Sequence, residues 1–187
     1  MRCFIAIDID RNIRTQIERL GHELRQKTHL AKPDVKWVNP DLIHLTLKFL
    51  GEVRDRELPE ICQIVTNVAD VYKPFSIDVE NIGSFGSPMR VLWVGIGPNE
   101  TLEALQKDLD KQLQRVGFAG DRKKFTGHLT LCRVKRSKAG KKLYEYIKDY
   151  ENFKLGTVSI NSVCIYKSEL TKTGPEYTLI SKSMLQQ

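Results

Sequence analysis

The sequence predicts strands alternating with helices in two similar halves that pack as one unit. Two observations carry this. The tetrad His44-Leu45-Thr46-Leu47 recurs as His128-Leu129-Thr130-Leu131. Each copy also follows the first helix of its half, a match of element order that does not depend on the tetrad itself. An internal duplication about a pseudo-twofold axis accounts for both, and no low-complexity linker separates the halves.

The elements follow from periodicity and punctuation. Phe4 to Ile9 reads as a buried strand, and Ile13, Ile17, Leu20 and Leu24 recur at helical spacing over residues 11–28. Pro33 and Asn39-Pro40 mark a loop into the first tetrad strand, Ile43 to Leu50. Leu58, Ile61, Val65 and Val68 define a second helix, and Phe75 to Val79 alternates as a strand. The second half begins with a strand from Arg90 to Gly97 and a helix capped near Asn99 that carries Leu102, Leu105, Leu109, Leu113 and Val116. The second tetrad strand, His128 to Val134, precedes a helix over about 138–151 and one strand from Thr157 to Tyr166. Tyr177 to Ile180 adds a last short strand. The repeat spans approximately 1–85 and 88–168 within one domain of 187 residues.

Composition narrows the function classes. The chain is 41% hydrophobic and 28% charged, which is a folded protein's balance and argues against disorder. Its net charge of +7 favours an anionic partner, nucleic acid ahead of a membrane surface. The apolar run at Phe4 to Ile7 is too short for a signal peptide or a span, so a cytoplasmic monomer without membrane attachment is expected. Cys3, Cys62, Cys132 and Cys164 are widely spaced among apolar neighbours and read as buried reduced thiols, not as a zinc site.

On a strand, residues two apart share a face, so His44 points with Thr46 and His128 with Thr130. A lone strand histidine is usually an ordinary hydrogen-bonded polar residue. Core packing explains the repeated leucines, but it does not require His and Thr on the opposite face in both copies. Passive retention after duplication is the competing explanation. Two imidazoles facing one cleft, each beside a hydroxyl, suit general acid–base chemistry on a phosphate. His22 and His29, seven apart on the first helix, read as solvated, and no residues have metal-ligand spacing. From Arg133 to Lys142 the chain holds six basic residues and no acid, with Arg122-Lys123-Lys124 upstream, a candidate path for a phosphate backbone. Lys48 shares the parity of His44 and Thr46 and is expected at the cleft or its rim, whereas parity puts Phe49 in the core.

At these residues the chain resembles the 2H phosphoesterase superfamily, and within it the bacterial and archaeal RNA 2′,3′-cyclic phosphodiesterases of the 2′-5′ RNA ligase family. The likeness runs from Arg2-Cys3-Phe4-Ile5-Ala6-Ile7 through Trp37-Val38-x-Pro40 and His44 to Gly51. It continues at Arg90-Val91-Leu92-Trp93, His128 to Arg133, Ser168-x-Leu170 and Gly174-Pro175-x-Tyr177. The resemblance implies an α+β fold of two pseudo-twofold lobes, each an antiparallel sheet with outer helices, and a central cleft carrying both His-x-Thr motifs. It implies metal-independent opening of RNA 2′,3′-cyclic phosphate ends to 2′-phosphomonoesters without a cofactor, and in some relatives reversible 2′,5′ ligation of tRNA halves. His44 matches the proton donor and His128 the proton acceptor. Thr46, Thr130 and Arg133 match the phosphate-binding groups. Strict alternation points Arg133 away from His128, so its role needs a strand end or a bulge. Phe49, Trp37 and Tyr177 are the candidates to stack on the terminal base. The readings ranked behind hydrolysis are ligation, and a non-catalytic protein that binds RNA ends.

Overall fold

Short polar side chains begin the two longest helices. Asp10 accepts from the Ile13 backbone N–H, and Asn99 from that of Leu102, at 2.9 Å each. Both thereby satisfy one of the donors a helix start leaves open. The computed structural model describes residues 1–31, 33–150, 152–172 and 174–186. In chain order these form β1 (Arg2–Asp8), α1 (Arg11–Thr28), β2 (Val35–Trp37), β3 (His44–Glu52), α2 (Leu58–Ala69), β4 (Phe75–Phe85) and β5 (Val91–Ile96). Then come α3 (Glu100–Arg115), β6 (His128–Val134), α4 (Ser137–Ile147), β7 (Lys154–Ile160), β8 (Ser162–Leu170) and β9 (Pro175–Met184). No described helix is long and apolar enough to cross a membrane.

The strands form two antiparallel sheets, ordered β3-β1-β8-β9 and β2-β6-β5-β4-β7. Each sheet draws on both halves of the chain. β8 and β9 join β1 and β3, while β4 lies between β5 and β7. The helices cross over as well: α3 packs on β3 beside α2, and α1 packs on β7 beside α4. One continuous cluster of buried apolar side chains, from Ile5 and Leu45 to Leu129 and Leu143, runs through both sheets and their helices. The sheets adjoin where β3 meets β6, which brings the two tetrad strands together.

Several boundaries differ from the sequence reading, and β4 and β9 run longer than expected, to Phe85 and over Pro175–Met184. The strand expected from Thr157 to Tyr166 is two strands on different sheets, with Asn161 between β7 and β8. Buried residues continue across the break, so periodicity did not mark it. The helix expected over about 138–151 ends at Ile147 and passes into a 3-10 turn, Lys148–Tyr150, and Glu151 lies outside the described residues. β2, only three residues long, is too short to show a period.

A shared irregularity controls the two tetrad strands. Between β1 and β3 the register steps from Ile5↔Lys48 to Ala6↔Thr46, leaving Leu47 as an extra residue. Between β5 and β6 it steps from Leu92↔Cys132 to Trp93↔Thr130, leaving Leu131 extra. A one-residue bulge reverses the faces of everything beyond it. Both strands consequently share one burial sequence, with His44 to Leu50 matching His128 to Val134 residue for residue.

Two expectations are overturned by that bulge. Lys48 is 3% exposed and faces away from the cleft, and Phe49, expected in the core, is 71% exposed. The Lys48 ammonium is compensated where it lies, donating to Asp110 Oδ1 at 2.5 Å and to the Ala119 carbonyl at 2.7 Å, with Asp121 Oδ1 at 3.0 Å. It ties β3 to α3 and to the loop that leads into β6. Replacing Lys48 by Met leaves two carboxylates without their cation. Asp121 is well exposed, so the cost falls below that of a fully buried broken pair, at about 2 kcal/mol. Urea unfolding of K48M measures it, and an unchanged midpoint would contradict this role for the ammonium.

Candidate active site

Each tetrad histidine is held by the backbone immediately before it. His44 Nδ1 lies 2.8 Å from the Leu42 carbonyl oxygen, and His128 Nδ1 lies 2.7 Å from that of Thr126. A carbonyl oxygen only accepts, so Nδ1 carries the proton in both rings and Nε2 is left as the titrating nitrogen. The same i−2 contact in both copies fixes tautomer and orientation together.

Aromatic rings complete each setting. His44 stacks on Phe4 at 4.7 Å between centroids and meets the edge of Tyr177 at 5.3 Å. His128 meets Phe85 edge-on at 4.9 Å and lies 6.2 Å from Trp93. The Trp93 indole lies flat on the sheet because Gly83 stands opposite it, and a Cβ there would collide with the ring. Thr46 and Thr130 are half-buried on the same faces as their histidines, paired with Ala6 and Trp93 across the strands.

Burial pushes the His44 pKa below its ordinary value. The Leu42 carbonyl and the Asp8 carboxylate oppose that shift, while the charges of Arg14 and His128 add to it. The influence of His128 means that the two imidazoles lie within electrostatic reach of each other. Asp8 stands directly opposite His44 on β1 and accepts from the Tyr166 hydroxyl at 2.7 Å. Arg14 donates to the Asp41 carbonyl at 3.2 Å, within the 3-10 turn Pro40–Leu42 that presents the Leu42 oxygen.

The bulge at Leu131 also brings Arg133 to the cleft face, opposite Val91 and beyond Thr130. Burial raises the Tyr177 pKa, and the charge of Arg133, on the other sheet, opposes this. The Arg133 charge therefore lies within electrostatic range of Tyr177. Trp37 does not share that face. It pairs with Cys132, packs near Gly21 of α1 and lies beneath the Arg25 guanidinium at 4.9 Å, which removes it as a cleft residue. His22 and His29 are exposed on α1 and at its end. Lys135, Arg136, Lys138, Lys141 and Lys142 are exposed, as are Arg122, Lys123 and Lys124. Among the described residues no three His, Cys, Asp or Glu side chains gather as a metal site. All four cysteines are free thiols, Cys62 half-buried and the others buried.

The sequence reading missed Asp8, Phe4, Tyr166, Phe85 and Trp93. Each reaches the site as a cross-strand neighbour, and only the alternation of Phe4, Ala6 and Asp8 along β1 hinted at a shared face.

The family model of the 2′-5′ RNA ligase superfamily matches residues 10–172. The chain belongs to this superfamily. It is 36% identical over 180 residues to an RNA 2′,3′-cyclic phosphodiesterase of Methanothermobacter thermautotrophicus, covering 95% of each chain. It is 34% identical to one from Methanocaldococcus jannaschii, covering 97% of this chain and 99% of that one. Among solved structures it matches E. coli LigT complexed with 3′-AMP with a TM-score of 0.75 and 26% identity, over 100% of this chain and 98% of LigT. The α+β architecture of two antiparallel sheets and four helices is that of this superfamily member's structural relatives.

NMR of the histidine side chains tests the electrostatics. Neutral His44 and His128 should both be Nδ1–H tautomers, and His44 should titrate below 6.5. An Nε2–H tautomer in either ring, or a His44 midpoint above 6.5, would contradict the geometry.

Proposed function

We propose that the protein hydrolyses RNA 2′,3′-cyclic phosphodiester ends to 2′-phosphomonoesters by paired-histidine acid–base catalysis. The observation that carries this reading is the pair of imidazoles anchored identically through Nδ1 on adjoining strands. The full-length relatives named RNA 2′,3′-cyclic phosphodiesterase support the substrate class. The two halves of the chain are read as copies that together form one domain around the cleft.

In the mechanism, the bare Nε2 of His128 takes a proton from water as the water oxygen attacks phosphorus in line. Protonated His44 gives its Nε2 proton to O3′ as the P–O3′ bond breaks, and the P–O2′ bond survives. Thr46 and Thr130 hydrogen-bond the non-bridging oxygens, whose charge grows toward the transition state. Arg133, brought to the same face by the bulge, adds a fixed positive charge there. Ligation of RNA ends is the same chemistry with a 5′-hydroxyl in place of water. Water outnumbers any RNA end, so hydrolysis prevails unless the ends are held together.

The sign of the pH effect follows from His44. As the acid it must be protonated, and its lowered pKa means that form is lost, as pH rises, sooner than for an ordinary imidazole. The alkaline limb of kcat/KM, which reports the free enzyme, therefore lies below 6.5. A bound phosphodiester anion favours the imidazolium, so the corresponding limb of kcat lies at higher pH. An alkaline limb of kcat/KM above 6.5 would remove His44 as the acid.

The activity test is a short RNA ending in a 2′,3′-cyclic phosphate, incubated with the protein in EDTA. Turnover should persist, and the product should resist a 3′-specific phosphatase. Loss of turnover restored by a divalent ion would overturn the metal-independent reading, and a 3′-phosphate product would reverse the leaving-group assignment. His44→Ala or His128→Ala should each lower kcat by about 10² to 10⁴, and the double variant should be little worse than either. Full activity in one single variant would end the acid–base reading.

A further inference from the structure

Lys36 stands directly opposite Arg133 where β2 pairs with β6, and Arg133 in turn stands opposite Val91 on β5. Directly opposed residues of an antiparallel ladder share a face, so Lys36 opens onto the cleft face. Its neighbours point the other way, Val35 into the core and Trp37 against α1. β2 is an edge strand of its sheet, and the chain continues from it through Val38, which donates to the Leu131 carbonyl at 2.9 Å. It then enters the turn that presents the Leu42 oxygen to His44. Lys36 thus lies at the His44 end of the cleft.

Its surroundings leave the ammonium available to a ligand. Lys36 is exposed, and among the described residues no carboxylate lies within ion-pair distance of it. Other cations along this edge are engaged. Arg136 pairs with Asp34 at 3.1 Å, and Arg25 covers Trp37 on the opposite face. The Lys36 side chain also reaches the other sheet, because a Cβ on Gly174 would stand 4.0 Å from its Nζ. Gly174 immediately precedes β9, the strand that carries Tyr177 to the edge of the His44 ring. The ammonium therefore sits where the end of the β8–β9 pair in one sheet meets the edge of the other.

We propose that Lys36 binds the phosphodiester joining the terminal nucleotide to the one before it, a second phosphate subsite outside the reacting centre. This rests on the function proposed above. His44 protonates O3′ in that reaction, so the nucleoside that owns O3′ lies at the His44 end, and its 5′-phosphate leaves the cleft there. The cyclic phosphate is already served by the Thr46 and Thr130 hydroxyls and by Arg133. An internal phosphodiester carries one negative charge and undergoes no chemistry. A flexible ammonium meets it as a point charge, without the planar fork that an arginine supplies. Such a contact positions the strand and carries no base preference. It makes the enzyme favour an RNA end over a mononucleotide with the same terminal ring.

The test uses three substrates with one reacting end. They are adenosine 2′,3′-cyclic phosphate, the adenylyl-adenosine dinucleotide ending in that cyclic phosphate, and the same dinucleotide with a neutral methylphosphonate linkage. At low salt the unsubstituted protein should show a KM about fivefold lower for the charged dinucleotide than for the neutral one, as one exposed ion pair gives. Lys36→Ala should erase that difference and Lys36→Arg should keep it, with kcat little changed. Turnover of the mononucleotide should be alike in all three proteins. For the charged dinucleotide, the slope of log kcat/KM against log salt should become shallower by about 0.7 in Lys36→Ala, the loss of one single-strand phosphate contact. Equal KM values for the two dinucleotides in the unsubstituted protein overturn the subsite, and so does a difference that persists in Lys36→Ala. An equal loss on the mononucleotide also overturns it, by placing Lys36 at the cyclic phosphate or in the fold. If the unsubstituted protein opens none of the three, the proposed function falls and the subsite with it, whereas failure of the subsite alone leaves turnover intact.

Discussion

A single extra residue in each tetrad strand governs what the cleft contains. Without the bulges at Leu47 and Leu131, alternation would point Lys48 and Cys132 into the cleft and bury Phe49 and Arg133. An ammonium and a thiol would then replace an aromatic ring and a guanidinium. With the bulges, the apolar residues Leu45, Leu47, Leu129 and Leu131 remain buried while the functional face gains a third position after His and Thr. The core and the site are thus settled by the same backbone feature. Both bulges lie against the central β1 and β5 strands, so their geometry is backed by paired backbone on one side and by buried leucine on the other.

The second constraint is electrostatic. Each imidazole gives its Nδ1 proton to a carbonyl two residues upstream, and each carbonyl belongs to a segment fixed from elsewhere. On the His44 side, Asn39 caps the turn through the Asp41 N–H and Arg14 holds its outer carbonyl. On the His128 side, the Gly127 carbonyl accepts from Ile96 of β5, and Lys48 ties down the start of the loop. The histidines are alike in tautomer but not in surroundings. His44 is the ring that burial drives toward neutrality, with Asp8 beneath it opposing that drive. An acid whose proton is weakly held gives it up readily to a departing alkoxide, and the incoming anion supplies part of the stabilisation that burial removes.

Much of this was legible in the residues. The duplicated tetrads, the cap at Asn99 and the apolar faces of α1 and α3 are local patterns, and local patterns survive without knowledge of the partner strand. That Arg133 needs a strand end or a bulge to reach the face of His128 could also be stated in advance, once the resemblance assigned it to the phosphate. The same logic was not available for Lys48 and Phe49, where simple alternation gave a plausible but inverted answer. A bulge is a property of two strands in register, and β1 carries no mark that Leu47 will be skipped. The exchange of strands between the sheets was hidden for a related reason. Asn161 separates two strands on different sheets with buried residues on both sides of it, and pairing rather than periodicity decides where the chain crosses. Asp8, Phe85 and Trp93 enter the site only through such pairings.

In the proposed reaction the two Nε2 atoms serve opposite ends of one in-line displacement. A crystal structure of the protein with a uridine–vanadate complex, in which vanadium takes the five-coordinate geometry of the transition state, tests it most directly. His44 Nε2 is expected within hydrogen-bond distance of the apical oxygen that is O3′ of the ribose, and His128 Nε2 within the same distance of the opposite apical oxygen. Both imidazoles on one apical oxygen, or either ring turned away from the vanadium centre, would contradict it.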